Sequence, residues 1–572
     1  KLEHIMGATR NILAAILMFL IFLMIPGYLD LIGLGPDNSN ETSQTINSET
    51  KKGEPVVYPS EIHDTNKYNQ ISSKHIRIIT DLFDATISNR GGGSFLEYKL
   101  IANNDDGLKY IGSYNENGDY NNNDPVLLNY DLLDMGCSPC LSFDNQEILI
   151  NHPFNLVTSL NNDTLRISGD ETLEIDYIYK NDLGDFVEKQ MIFYGNSYNI
   201  NSSFNFNLSN THPNKNVEIS WLSGIMPAEL MEVDELSYSS AYIGLNGDLE
   251  SITQSSIEGV DLQVYNETKT DWFALRNKFF TVSIMPEEAS DFSILSSNNV
   301  ALGNRAITPI YNASLGYKMN NGTLSFKTFL GPLDTEHINK FDSELQLIMN
   351  FGWAIIKPFS KFILWFLRLL HNSIGINYGV VLVILALIMR IVTGPLTKKS
   401  YESSVKMKVV APLQKKIQEK YKDDPKKLQQ EMGKLWKKHG FNPAMSCIAP
   451  LLQMPLLMSF FIVFRSTVEF RGQPFMLWIT DLSQPDYIFS LPFSLPLYGS
   501  AVAVLPILMG ISMFLTMRIS MQSAEDSQKY MMYFMNGFFI LIFNTFPSGL
   551  TLYYTVYNFL SFQQQLSIKK NS

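Results

Sequence analysis

The sequence predicts two fold classes on one chain: a membrane α-helical bundle of six transmembrane helices, and a large external antiparallel β-sandwich domain. Three observations predict it. Apolar stretches almost free of charge occur at residues 11–29 and recur between 378 and 568. Residues 30–340 hold 43 acids and 19 bases, a net of 19 − 43 = −24, and break into short alternating runs. Residues 398–440 hold 13 Lys and 5 acids, a net of 13 − 5 = +8. The averages over all 572 residues, a charge of −12 and a mean hydropathy of −0.01, describe neither part. A simple soluble globule and a bare membrane bundle are both excluded. The acidic balance also argues against direct binding of nucleic acid.

A helix needs about 20 mostly apolar residues to cross a bilayer. Residues 10–29 form the first predicted span. Ile25-Pro26-Gly27-Tyr28 is a poor signal-peptidase site, so this span is expected to stay attached. Residues 1–9 are read as a cytoplasmic N-terminus, with Met6 the start and 1–5 a cloning remnant. Further spans are expected at 378–397, 444–464 and 498–516. The apolar stretch 530–568 is too long for one span, and Phe546-Pro547-Ser548-Gly549 divides it with a turn. Lys and Arg mark the cytoplasmic ends of spans. Arg10, the block 398–440, Arg518 with Lys529, and Lys569-Lys570 then share one side, and the acidic region takes the other. The tail 569–572 is cytoplasmic in this scheme.

Residues 30–70 are rich in Asn, Ser, Thr and Glu and read as a solvated linker. Residues 71–341 read as the β-sandwich. Alternation in 173–179 and 199–207 predicts half-buried strands, and Asn181-Asp182-Leu183-Gly184 a hairpin loop. Cys137-Ser138-Pro139-Cys140 is compatible with a local disulfide, free thiols or a redox pair. The β-rich flanks weigh toward a structural disulfide. Residues 342–374 read as an amphipathic interfacial helix, with Lys357, Lys361 and Arg368 on one face among aromatic residues. No His pair at i, i+4, HExxH or GxxxxGK[ST] occurs, so neither a metal nor a nucleotide cofactor is predicted.

Arg390 stands out in the second span. Arg at mid-bilayer costs about 2.5–3.5 kcal/mol even on the mild insertion scale, so it should face a protein-lined or wet cavity. Thr393 and Thr397 follow it at i+3 and i+7. Ser446 and Gln453 on the third span, Asn536 and Asn544 on the fifth, and Thr551, Tyr554, Thr555, Asn558, Ser561 and Gln565 on the sixth form further polar stripes. One such stripe only joins helices. Several with one Arg suggest a shared hydrophilic concavity. In the cytoplasmic block, apolar positions every four residues, the turn Asp423-Asp424-Pro425 and a second apolar run predict a basic helical hairpin over 398–440. Lys415, Lys416, Lys426 and Lys427 are its candidate recruiting residues.

The region 350–568 resembles the YidC membrane protein insertases of Gram-negative bacteria, within the YidC/Oxa/Alb family. The resemblance rests on Arg390 before Gly394-Pro395-Leu396-Thr397, on Asn442-Pro443, and on Pro450-Leu451-Leu452-Gln453-Met454-Pro455. It rests also on Phe475-Met476-Leu477-Trp478-Ile479-Thr480-Asp481-Leu482 and Phe546-Pro547-Ser548-Gly549-Leu550-Thr551-Leu552-Tyr553-Tyr554. In the external region, residues 272–280 are the most family-like. The resemblance implies a bacterial inner-membrane protein with a periplasmic domain and a five-helix insertase core over 375–568. It implies no covalent chemistry. Arg390, Thr393, Gln453, Asn544, Thr551, Tyr554 and Asn558 would line a groove for nascent membrane proteins. The ribosome, the Sec translocon and the lipid bilayer would be partners. Four features depart from the pattern: the cysteine pair, Ala386 one turn before Arg390, a long segment at 489–497 before the fourth span, and a tail that stops soon after Lys569-Lys570, which argues against ribosome contact through a long basic tail. A transporter or channel is the main alternative, but it calls for intramembrane carboxylates, and the six predicted spans have none. A carbohydrate-active sandwich would need paired carboxylates, which sequence cannot pair.

Overall fold

The computed structural model describes residues 48–49 and 74–571, apart from 105–106, 116, 133–136, 144–146, 149–152, 254–260, 301, 304, 306–307, 343, 423, 441–442, 496–497 and 521–525. The first expected span, at 10–29, lies outside the described residues. The chain forms two compact units, which divide between Asn350 and Phe351.

The β-unit holds a nine-stranded, a seven-stranded and a five-stranded sheet. Its strands follow from period-two burial. In Phe186–Tyr194 every second residue, from Val187 to Phe193, points inward. Asn199–Asn207 repeats the pattern, and the Asn181–Gly184 loop joins Thr172–Lys180 to Phe186–Tyr194. Gly184 adopts φ +88°, which that loop requires and which glycine adopts without strain. The strands Trp272–Arg276 and Pro309–Tyr317 are buried along their whole length and face each other from different sheets. Phe95 of the five-stranded sheet meets Phe193 of the nine-stranded sheet and Trp221 of the seven-stranded sheet, so three sheets share one aromatic core. The pairing is antiparallel among the described strands, except that Thr164–Arg166 runs parallel to His75–Ile79. Within the expected linker, Ser48–Glu49 pairs with the strand Asp261–Tyr265 and is not wholly free coil. Cys137 and Cys140 are joined in a disulfide.

The family-like stretch 272–280 closes the unit at its C-terminal end. Arg276 is fully buried and donates through Nε to the Asn277 carbonyl, through Nη2 to that of Lys278, and through Nη1 to that of Ile348. The Asn277 side chain accepts from the Phe279 and Phe280 amides and donates to the Met226 carbonyl. A buried guanidinium is costly unless its donors are satisfied, and here backbone carbonyls supply the acceptors.

The β-unit carries α1, Glu232–Leu236, and α2, Thr335–Phe341. The helical unit carries α3, Lys357–Ile374; α4, Tyr378–Lys420; α5, Pro425–Lys438; α6, Pro443–Ser466; α7, Leu505–Ser520; α8, Asp526–Phe543; and α9, Ser548–Asn571. The expected amphipathic segment 342–374 is thus split. Glu344–Ile348 is a 3-10 turn with Leu345 and Ile348 buried in the β-unit, and only α3 is the helix. It buries Ile363, Leu364 and Leu367 and leaves Phe359, Phe362 and Trp365 exposed. Gly375 ends it in the left-handed conformation, and the Asn377 side chain then caps α4 by accepting from the Gly379 amide.

Residues Tyr378–Ser400 are long and apolar enough to cross a membrane, with a mean hydropathy of 2.3. Shorter apolar helical runs lie at Met454–Ser466, Leu505–Ile519 and Lys529–Phe543. Two boundaries differ from the expected ones. First, α4 does not stop at 397. It continues for 43 residues, about 64 Å, into the basic block, so the first arm of the hairpin is the same helix as the span. Second, the run 498–516 does not begin as helix. Strands Tyr487–Leu495 and Gly499–Ala503 pair as a ribbon, and α7 starts only at Leu505.

Candidate functional site

The site is built on α4 and α9. Arg390 lies on α4, 7% exposed. Its Nη2 donates to Gln564 Oε1 on α9, and its guanidinium lies 5.6 Å from the centre of the Tyr557 ring. Thr393, one turn on, donates to the Met389 carbonyl and stands 3.0 Å from the Tyr557 hydroxyl. Gln564 Nε2 reaches back to the Gly394 carbonyl at 3.4 Å. Pro395 follows Gly394 in the helix and has no N–H for the Ile391 carbonyl. The groups around the Arg are therefore neutral hydroxyls, an amide and a ring face, and no carboxylate pairs with it among the described residues. Arg390 Nε is buried without a hydrogen-bond partner there.

The sequence reading named Arg390 and Thr393 but missed Tyr557 and Gln564. The signal was present: the two are seven apart on one helix, which puts them on one face. Tyr554, 6% exposed, lies one turn earlier on α9. Its ring meets Tyr553 edge-on at 5.1 Å and Phe543 of α8 at 6.3 Å. Its hydroxyl is buried and has no partner among the described residues. The Thr551 hydroxyl turns back onto its own helix, donating to the Ser548 carbonyl at 3.0 Å. Asn558 is half-buried, and its carbonyl accepts from Thr516 of α7. The side chain of Gln453 lies outside the described residues.

Asn544 is not with this cluster. It is fully buried just past the end of α8. Its Nδ2 donates to the carbonyls of Tyr498 and Ala501, both at 2.7 Å, and its Oδ1 accepts from the Ala503 amide at 2.9 Å. The side chain clamps the ribbon. A second clamp, Asp486, was not foreseen. One carboxylate oxygen accepts from Trp478 Nε1 and from the amides of Val504 and Leu505, where α7 begins.

The two motif segments on the loop side meet. The amides of Ser548 and Gly549, at the start of α9, donate to the carbonyls of Gln484 and Leu482. The Ser548 hydroxyl donates to the Asp481 carbonyl. The free N–H groups of a helix start need partners, and this loop supplies them. Gly549 is needed for the approach, since a Cβ there would stand 2.3 Å from the Phe464 ring.

In the basic block, α5 packs on the far end of α4 through Val410, Leu413, Ile417, Leu435 and Trp436. The Asp424 side chain caps α5 by accepting from the Lys427 amide. Lys415, Lys416, Lys426 and Lys427 are all exposed, and Lys427 stands 3.6 Å from Asp424. An open cavity of about 300 Å³ between the two helices is lined by Leu428, Met432 and Trp436.

Residues 369–572 match the family described as 60Kd inner membrane protein, and residues 145–366 match the YidC periplasmic domain. The membrane protein insertase YidC of Chloroherpeton thalassium is 32% identical over 524 residues, covering 87% of this chain and 83% of the relative. The chain belongs to the YidC family of membrane protein insertases. The YidC of Pelodictyon phaeoclathratiforme is 31% identical over 561 residues, covering 93% of this chain and 90% of that one. An active YidC insertase crystal structure with its first transmembrane domain resolved aligns at 18% identity and a TM-score of 0.33, covering 87% and 93% of the two chains. The family makes this a membrane protein with a periplasmic β-rich domain.

Proposed function

We propose that the chain inserts nascent inner-membrane proteins through a hydrophilic patch between α4 and α9, alone or beside the Sec translocon. In this reading the segment 10–29, the first part of α4, and α6 to α9 cross the membrane. Both termini and the α4–α5 hairpin are then cytoplasmic, and the β-unit is periplasmic. The observation that carries the reading is Arg390: a buried guanidinium on an apolar helix whose partners are all neutral. No carboxylate among the described residues cancels its charge, which leaves that charge to attract an acidic segment of a substrate.

Moving a polar loop through hydrocarbon is costly because its backbone and charged groups lose water. A patch of Arg390, Gln564, Tyr557 and Thr393 lowers that cost over part of the path. Burial of the substrate's own apolar helix in lipid then supplies the drive. Tyr554 lies beside the path of that helix, and its hydroxyl, without a partner among the described residues, serves the polar flank. The exposed lysines of the hairpin recruit the ribosome-bound chain electrostatically. No bond is made or broken.

The test is photocrosslinking. A probe replaces Tyr554, a control probe replaces the lipid-side Phe559 on the same helix, and a short stalled membrane-protein chain is translated beside each. Capture at 554 and not at 559 is expected. Absence of capture at 554 in a folded, membrane-integrated protein would end the insertase-path reading and favour solute transport by the same cluster.

A further inference from the structure

The ribbon formed by Tyr487–Leu495 and Gly499–Ala503 has no part in the insertion path proposed above. It exposes Ile488 by 53%, Phe489 by 53%, Phe493 by 57% and Leu495 by 42%. Residues 487–517, which take in the ribbon and most of α7, contain no Asp, Glu, Lys, Arg or His. A two-stranded ribbon alone in water is marginal, and one with so many exposed apolar side chains is an aggregation hazard. Yet this one is built firmly. Asn544 grips its turn and second strand by three hydrogen bonds, and Asp486 fixes the junction with α7. A loop whose only task is to connect two spans needs no such clamps.

We infer that the ribbon is a lipid anchor that lies in the outer membrane–water interface and pins the upper end of α7. This rests on the reading of α7 as a membrane span. Three arguments select lipid as the occupant. Exposed apolar side chains occur again at Ile507, Leu508 and Ile511 of α7, the helix that the ribbon leads into. The patch has no charge with which to orient a protein partner, whereas a hydrocarbon boundary asks for none. Both strands are edges of a two-stranded sheet, and edge backbone without a strand partner is excluded from the bilayer core but satisfied among headgroups and water. The anchor also answers a length problem. The 16 residues of α7 span about 24 Å, less than the ~30 Å hydrocarbon layer, so its depth needs to be fixed from one end.

The test uses the full chain with Cys447→Ala, reconstituted in phosphatidylcholine nanodiscs with the Cys137–Cys140 disulfide intact. A nitroxide is attached at Phe493→Cys or, in a second variant, Leu495→Cys. A reference nitroxide is attached at Ile511→Cys. Collision with oxygen, which partitions into lipid, is compared with collision with a water-soluble nickel chelate. Oxygen is expected to win at 493 and 495, by a smaller ratio than at 511. The reading at 493 should stay unchanged when anionic lipid is added, because apolar burial and not charge holds the ribbon. Nickel winning at both ribbon sites while oxygen wins at 511 would overturn the anchor and leave the span intact. Shielding of the ribbon labels from both reagents would overturn it in favour of a protein cover. Nickel winning at 511 as well would remove the span reading itself.

Discussion

Arg390 and Gln564 stand 174 residues apart and are joined by a hydrogen bond from the guanidinium to the amide oxygen. That bond, with the Tyr557 ring beside it, ties the first third of α4 to the last third of α9. Arg390→Ala removes the charge and the tie together, whereas Arg390→Lys keeps the charge and loses the planar donor. Insertion of a substrate with an acidic translocated segment is expected to fall by about tenfold in Arg390→Ala, the equivalent of ~1.4 kcal/mol of lost attraction, and to survive in Arg390→Lys. A neutral-loop substrate should be little affected. Single-round insertion into proteoliposomes measures both.

Gln564→Leu tests the tie alone. It leaves a buried guanidinium short of an acceptor, at a cost of about 1–3 kcal/mol, so the melting temperature in detergent should drop. Insertion per folded molecule should persist, because the charge remains.

Tyr554 carries a buried hydroxyl without a partner among the described residues, on a ring packed against Tyr553 and Phe543. Tyr554→Phe should therefore change stability by less than ~0.5 kcal/mol, while Tyr554→Ala leaves a cavity worth about 3–5 kcal/mol. If the hydroxyl serves substrates, Tyr554→Phe slows insertion at unchanged stability. Thermal melts beside insertion assays separate the two effects.

Asn544→Ala removes three hydrogen bonds to the ribbon at once. The expected loss is about 2–4 kcal/mol, with new protease cleavage confined to 487–503. Asn544→Asp keeps the acceptor for the Ala503 amide and should give an intermediate result. Mass mapping of limited digests of the full chain reads this directly.

Lys189 occupies an inward position of an alternating strand, between Val187 and Met191. Its Nζ donates to the Pro139 carbonyl at 2.8 Å, between the two disulfide cysteines. Burial pulls its pKa down from 10.5 to about 7. Between those values the unfolded chain holds a proton that the folded chain lacks. Stability should therefore rise with pH from about 7, with a slope of up to ~1.4 kcal/mol per pH unit. Lys189→Met should flatten that rise and stabilise the β-unit most at neutral pH. Urea unfolding of the full chain between pH 7 and 9.5, below tyrosine titration, is the measurement.

The strands at 172–180 and 199–207, the loop between 180 and 186, and the turn at 546–549 were legible because each has its own local signal. Period two, Asn-Asp-Leu-Gly and Pro-Ser-Gly act over a few residues. The continuity of α4 was not legible. Hydropathy changes sharply at 398, but a helix is held by backbone bonds and by propensity, and Lys favours it as well as Leu does. The ribbon was hidden for the converse reason. Residues 498–504 are apolar enough to extend the α7 signal, and only Gly499 and the two Val mark them as strand. At the site, Arg390 was visible from its cost in lipid, but its partners were not. Polar stripes show which residues need company and not which they find, so Asn544 was assigned to the groove when its company is the ribbon backbone.

The unbroken course of α4 gives the protein a mechanical arm. From Arg390 to Lys420 the helix runs 30 residues, about 45 Å. If the membrane end pivots near Arg390, a tilt of about 10° carries the far tip through roughly 8 Å, more than one helical turn. A load placed on the lysine-studded tip is thus geared down to small, forceful displacements beside the guanidinium. Pro395 and Pro412 are the places where that arm has the fewest backbone bonds to resist bending.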